Sequence, residues 1–116
     1  MAIRKYKLKN ADKQIGILTI DGERIWQLKN SSIELFENLD PENYDTLWFP
    51  DYKKGRRVFD NEYTKDFIQY RASERSRPQL FQRMEEAGIP EYDELLLFLY
   101  AKGQFQTDKL NIEEIK

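Results

Sequence analysis

Residues Arg4–Lys29, RKYKLKNADKQIGILTIDGERIWQLK, decide the fold. Tyr6 and Leu8 alternate with Lys5, Lys7 and Lys9, the period-2 pattern of a strand with one buried face. Ala11-Asp12-Lys13-Gln14 reads as a turn. Ile15–Ile20 (IGILTI) follows, rich in the β-branched residues that suit a pleated surface. Asp21-Gly22 is a strong hairpin signal. Arg24–Lys29 (RIWQLK) then returns, with Ile25 and Trp26 directed inward. The stretch predicts a three-stranded antiparallel meander.

Downstream the pattern changes. Ser31 makes a good N-cap and Glu34 stands three residues on, as in a capping box, so the run to Asp40-Pro41 reads as a short helix or helical turn. Tyr44–Tyr52 (YDTLWFPDY) is dense in aromatics and broken by Pro50, which argues against a central strand. An extended loop or edge strand that lays Trp48 and Phe49 over the meander fits it. Lys53-Lys54-Gly55-Arg56-Arg57 is a basic turn. A helix is predicted from about Asn61 to Tyr70, with Tyr63, Phe67 and Tyr70 at i, i+4 and i+7.

Tyr70–Gly103 holds the clearest punctuation and four arginines, Arg71, Arg75, Arg77 and Arg83. Ser76 and Pro78 mark a helix start, since proline is favoured in a first turn. Leu80, Phe81 and Met84 give that helix its apolar side, and Gly88 closes it. A last helix spans about Glu91 to Lys102 and ends at Gly103. Phe105–Ile112 can form a final strand with Leu110 and Ile112 on one face. The fold class is α+β: an N-terminal three-stranded antiparallel meander, three to four short helices and a C-terminal strand. The 116 residues make one domain, β-rich over 1–52 and helical over 53–116.

Composition narrows the chemistry. Hydrophobic residues make up 40% of the chain and aromatics 14%, enough for one modest core and too many for a disordered chain. No cysteine is present, so there is neither disulfide framework nor thiolate, and a cytoplasmic location is the default expectation. The first ten residues hold no apolar leader core. The longest apolar run, in Glu94–Tyr100, falls far short of the roughly 18 residues that span a bilayer, so a soluble protein is expected. Net charge is −2, unevenly spread. Lys53 to Arg83 carries nine basic against four acidic residues, about +5, which leaves about −7 elsewhere. Such a bipolar chain suits an anion, a phosphate backbone or an acidic protein face; the alternative is a solvated surface whose charges pair with one another.

There is no histidine either, which removes the commonest general base and the commonest transition-metal ligand. Zinc sites built from Cys and His, and triads that need them, are excluded. Glycines 16, 22, 55, 88 and 103 are too scattered for a phosphate-cradling loop. Carboxylate-only chemistry is left to Asp40, Glu42 and Asp45 or to Glu91, Asp93 and Glu94. Both groups fall at turns or helix starts, where capping explains them more simply. No enzyme, metal or cofactor is expected.

Binding chemistry has more to offer. Arg71, Arg75 and Arg77 beside the helix start at Ser76 can make an anion-accepting corner. The alternative is that these arginines pair with Glu74, Glu85 and Glu86 and tie two helices together. Trp48, Phe49 and Tyr52 are candidates for a partner surface, because large aromatics dominate interface hot spots; their alternative is the core. Lys53, Lys54, Arg56 and Arg57, with Tyr52 and Phe59 near, could serve nucleic acid together with Arg71 and Arg83.

The segment Phe67–Ile112 carries a helix ending in Arg71, then Ser76-Arg77, a helix ending in Ala87-Gly88-Ile89, and YDELLLF from Tyr92. In this it resembles an accessory module found beside HipA-type kinases in Gram-positive bacteria. Tyr70, Arg71, Ser76, Arg77, Gly88, Ile89, Tyr92, Asp93, Glu94 and Leu95 stand in the matching places. Where that pattern has a proline after its first arginine and a terminal tryptophan, this chain has Ala72-Ser73-Glu74 and Thr107–Ile112. The resemblance implies a detached regulatory part of a toxin–antitoxin kinase system that docks to a kinase or another protein. A non-catalytic module contacting a protein through Trp48, Phe49, Tyr52, Arg71, Arg75 and Arg77 is the first expectation. A nucleic-acid-associated regulator is the second, and no membrane partner is expected.

Overall fold

A computed structural model describes residues 3–40, 48–72, 85–86, 88, 93–103 and 109–115. The chain is α+β, as expected, with one five-stranded antiparallel sheet. Its strands are β1 (Ile3–Asn10), β2 (Lys13–Asp21), β3 (Ser32–Leu35), β4 (Val58–Phe59) and β5 (Leu110–Glu114), in the order β4-β3-β2-β1-β5. Two helices, α1 (Asn61–Ala72) and α2 (Glu94–Tyr100), are described beside it.

The β1–β2 hairpin follows the predicted alternation. Tyr6 pairs with Leu18 and Arg4 with Ile20, and a bulge interrupts the register between Leu8 and Lys9. Tyr6, Leu8, Ile15, Leu18 and Ile20 are buried on one face. Lys5 and Lys7 lie on the other, an arrangement open to an antiparallel sheet with one wet side.

The third strand is not where the sequence placed it. Arg24–Lys29 is not a strand; Ile25–Gln27 is a 3-10 turn that buries Ile25 and leaves Trp26 71% exposed. Gly22 makes this possible with φ of +143°, and a Cβ there would stand 3.0 Å from the carbonyl oxygen of Gln27. The Ile25 amide is held from far away in sequence, by the Asp93 carboxylate at 3.1 Å. The helix read from Ser31 is instead β3. Ile33 and Leu35 are buried and alternate with Ser32 and Glu34, so sheet pairing outweighs the capping pattern. Ser31 does cap a neighbour, but its hydroxyl accepts from the Asp21 amide at 3.0 Å.

Phe49 is buried over the sheet, its ring 5.3 Å from that of Phe59 and 5.7 Å from that of Phe67. Pro50–Lys54 is a 3-10 turn, closed by Gly55 in the left-handed region. Asp60 caps α1, its carboxylate accepting from the Tyr63 amide at 3.0 Å. Asn61 ties that start to the sheet connection: its side chain accepts from Ser31 N–H and donates to Leu28 C=O. The buried side of α1 is Thr64, Phe67, Ile68 and Arg71, one step round from the predicted stripe. Asp93 caps α2 through the amides of Leu95 and Leu96. Leu95, Leu97 and Phe98 are buried; the helix stops at Tyr100, two residues before the expected Lys102, and a turn through Gly103 follows.

β5 lies along β1 with Leu110 and Ile112 buried, as the final strand was drawn; residues 105–108 of that reading lie outside the described residues. So do most of the helix from Ser76 to Gly88 and Glu91, although Glu85 and Glu86 are helical. Strands 58–59 and 110–114 complete a sheet begun by the first half, so the β-rich and helical halves interleave. Among the described residues no helix is long and apolar enough to cross a membrane.

Candidate functional site

Helical spacing sets Tyr63, Asp66, Phe67 and Tyr70 along one flank of α1 at i, i+3, i+4 and i+7. Trp48 comes in over this flank from the preceding loop. Its ring meets Phe67 edge-on at 5.3 Å and Tyr70 edge-on at 5.0 Å. The Tyr63 hydroxyl donates to the Trp48 carbonyl and fixes the loop to the helix. Burial pushes the Tyr63 phenol pKa above its ordinary value, and Asp51 adds to this while Arg56 opposes it. Together Trp48, Tyr63, Asp66, Phe67 and Tyr70 line a cleft of about 210 Å³. Phe67 forms its floor and is buried, whereas Tyr70 is 65% exposed at its rim. The Asp66 carboxylate is exposed and makes no hydrogen bond or ion pair among the described residues.

Behind this cleft lies Arg71, only 3% exposed. Its Nε and Nη2 donate to the Gly103 carbonyl at 3.0 and 2.7 Å, and Nη2 reaches the Leu110 carbonyl at 3.4 Å. Its guanidinium carbon sits 5.1 Å from the Trp48 ring centroid and 5.3 Å from that of Phe67. A buried guanidinium costs much desolvation unless its donors are met. Here backbone carbonyls and ring faces meet it. Arg71 thus joins α1 to the end of α2 and the start of β5 from inside, which does not match the expectation of a surface contact.

The other expected residues separate. Trp48 is half-buried in the cleft wall, and Phe49 is core. Tyr52 is half-buried, its hydroxyl donating to Phe36 C=O at 2.6 Å and accepting from Leu39 N–H at 3.0 Å. Arg75, Arg77 and Arg83 lie outside the described residues. In the basic turn, Arg56 stacks on Phe59 at 4.8 Å and Tyr63 at 5.3 Å and pairs with Asp51 at 3.5 Å. Arg57 pairs with Glu37 at 2.6 Å. Lys53 and Lys54 are exposed. Four of the six residues expected to serve nucleic acid are thus one buried, two internally paired and one undescribed.

Tyr63, Asp66 and Tyr70 did not stand out as a site in the sequence, where the tyrosines with Phe67 served to mark a helix. The signal was present: an aspartate between tyrosines three residues before and four after places a carboxylate among rings on one helix flank. A second groove, of about 890 Å³, lies between β1, β5 and the end of α2. Arg4, Lys7 and Lys102 line it, but so do Glu113 and Glu114, and Lys7 is 3.8 Å from Glu113. Its charges largely cancel. Among the described residues there is no group of three or more side chains placed to hold a metal ion. Comparison with protein-family models, curated proteins and solved structures finds no match for this chain.

Proposed function

We propose that the chain is a non-catalytic binding module that docks a protein partner, with the Trp48–Tyr70 cleft at the centre of the contact. The observation that carries this reading is an aromatic-walled cleft at the surface with an unpaired carboxylate beside it. Trp and Tyr supply large contact area at small entropic cost, and interface hot spots concentrate in them. A composition without histidine or cysteine supports a binding role over a catalytic one. The likeness of Tyr70–Leu95 to the accessory module of HipA-type kinases supports such a kinase, within a toxin–antitoxin system, as the partner class.

A photo-reactive amino acid at position 70 in the full chain tests the reading. It is expected to cross-link one discrete protein partner in living cells, and the product should vanish with Trp48→Ala. A probe at Lys13, on the far hairpin, should give no such product. Equal labelling from both positions, or none from either, would remove the cleft from the contact. The nucleic-acid alternative has less support, since Arg56 and Arg57 are spent on Asp51 and Glu37. A mobility-shift assay at low salt is expected to show no retained DNA or RNA.

A further inference from the structure

Resting on that docking reading, we infer that the Trp48–Tyr70 cleft receives an arginine side chain of the partner. Its volume, about 210 Å³, falls below the roughly 300 Å³ at which whole small-molecule sites begin, so it suits the end of a side chain projecting from something larger. Its walls are Trp48, Tyr63, Phe67 and Tyr70, and among the described residues that line it Asp66 alone is charged.

Aromatic faces attract cations, most strongly when the cation is desolvated. Arginine and lysine differ in how they meet such walls. A lysine ammonium is a compact, strongly hydrated point charge, costly to strip of water against ring walls. A guanidinium is more weakly hydrated, stacks on ring faces, and presents a fork that matches one carboxylate with two parallel bonds. A cleft with several rings and a single carboxylate therefore fits arginine. The chain already uses this chemistry on its own rings: Arg71 packs on Trp48 and Phe67, and Arg56 on Phe59 and Tyr63.

Arg71 also sets the condition on the proposal. Its positive charge lies 5.1 Å from the Trp48 centroid and repels a second guanidinium. Asp66 supplies the countercharge, so discrimination for a cation should depend on that one residue. Because Asp66 makes no contact that holds the fold among the described residues, it can be changed without unfolding the chain.

The test uses N-acetyl-arginine amide, its neutral isostere N-acetyl-citrulline amide, and N-acetyl-lysine amide. Fluorescence of Trp48 is read in a Trp26→Phe chain, so that one indole reports. The arginine compound is expected to bind weakly, with a Kd on the order of 1–10 mM for so few atoms. Citrulline and lysine compounds should bind at least about 5-fold more weakly. Asp66→Asn, with unchanged thermal unfolding, should bring arginine binding down to the citrulline level, and Tyr70→Ala should weaken all three. Equal binding of citrulline would make the cleft merely apolar and overturn the inference. Equal binding of lysine would reduce it to a charge effect, and no arginine binding up to about 100 mM would end it. If cross-linking from position 70 persists in any of these cases, the arginine assignment fails alone; if cross-linking fails too, the docking reading fails with it.

Discussion

Arg71 shows how one side chain can change its meaning between sequence and structure. As one of four clustered arginines it suggested an anion site; in place, its donors are taken by the Gly103 and Leu110 carbonyls. Removing it leaves a buried carbonyl without a partner and a void beneath two rings. Arg71→Ala is therefore expected to cost about 3 kcal/mol. Arg71→Lys should cost about half of that, because a single ammonium cannot reproduce the fork. Urea unfolding would measure both, and losses below about 1 kcal/mol would contradict the role assigned here. The sequence named Arg71 as a residue of interest, but its acceptors come from positions 32 and 39 residues away, which no local pattern reports. Tyr63 and Asp66 illustrate the converse. Their spacing was visible, but it served only to place the helix, and the buried positions fell to Thr64, Phe67, Ile68 and Arg71.

At the scale of elements, what sequence could read depended on how local the competing forces were. The β1–β2 hairpin was legible because its partners are adjacent and its alternation is regular. Residues 31–35 satisfied a helix-capping pattern and a strand period at once. Pairing of Ile33 with Leu18 and of Phe59 with Ile33 resolved the ambiguity in favour of the strand, through contacts that the segment does not itself contain. The 3-10 turn at Ile25 had the same origin in the distant Asp93. Gly16 measures how tightly β2 and β3 approach: a Cβ there would lie 2.3 Å from the Glu34 carbonyl oxygen and 3.0 Å from the Leu35 Cα. Both obstacles are backbone, so neither can swing aside. Gly16→Ala is expected to destabilise the fold by about 3 kcal/mol, with the loss of protection on hydrogen exchange concentrated in β3. An alanine variant of parental stability would show that the strands stand farther apart.

Across the whole molecule, two phenols make stability sensitive to alkali. Burial raises the pKa of Tyr6, with Glu114 adding and Arg4 opposing, and burial raises that of Tyr63. A raised folded-state value means that the native chain holds its phenolic protons after the unfolded chain has released them. Their contribution is thus complete below about pH 10, the ordinary tyrosine value, and declines as pH climbs through the raised values. Urea midpoints should fall between about pH 10 and 12, and Tyr63→Phe should flatten that fall. An unchanged slope in the variant would assign the alkaline loss elsewhere.

The position of β1 has a consequence for how the chain comes into being. β1 sits inside the sheet, with β2 on one edge joined by a short turn and β5 on the other, where Asn10 pairs with Leu110. One edge is satisfied by the strand that follows directly after a short turn; the other waits about a hundred positions for its partner. Throughout that interval the nascent chain exposes a strand edge with its amides and carbonyls open, the form most prone to pair with a foreign strand. Lys5, Lys7 and Lys9 give that waiting strand a charge that discourages such meetings. A chain ended after Lys109 would keep the edge open permanently. It is expected to elute on size-exclusion chromatography as dimers and larger strand-paired species, whereas a chain that carries β5 covers that edge of β1 itself.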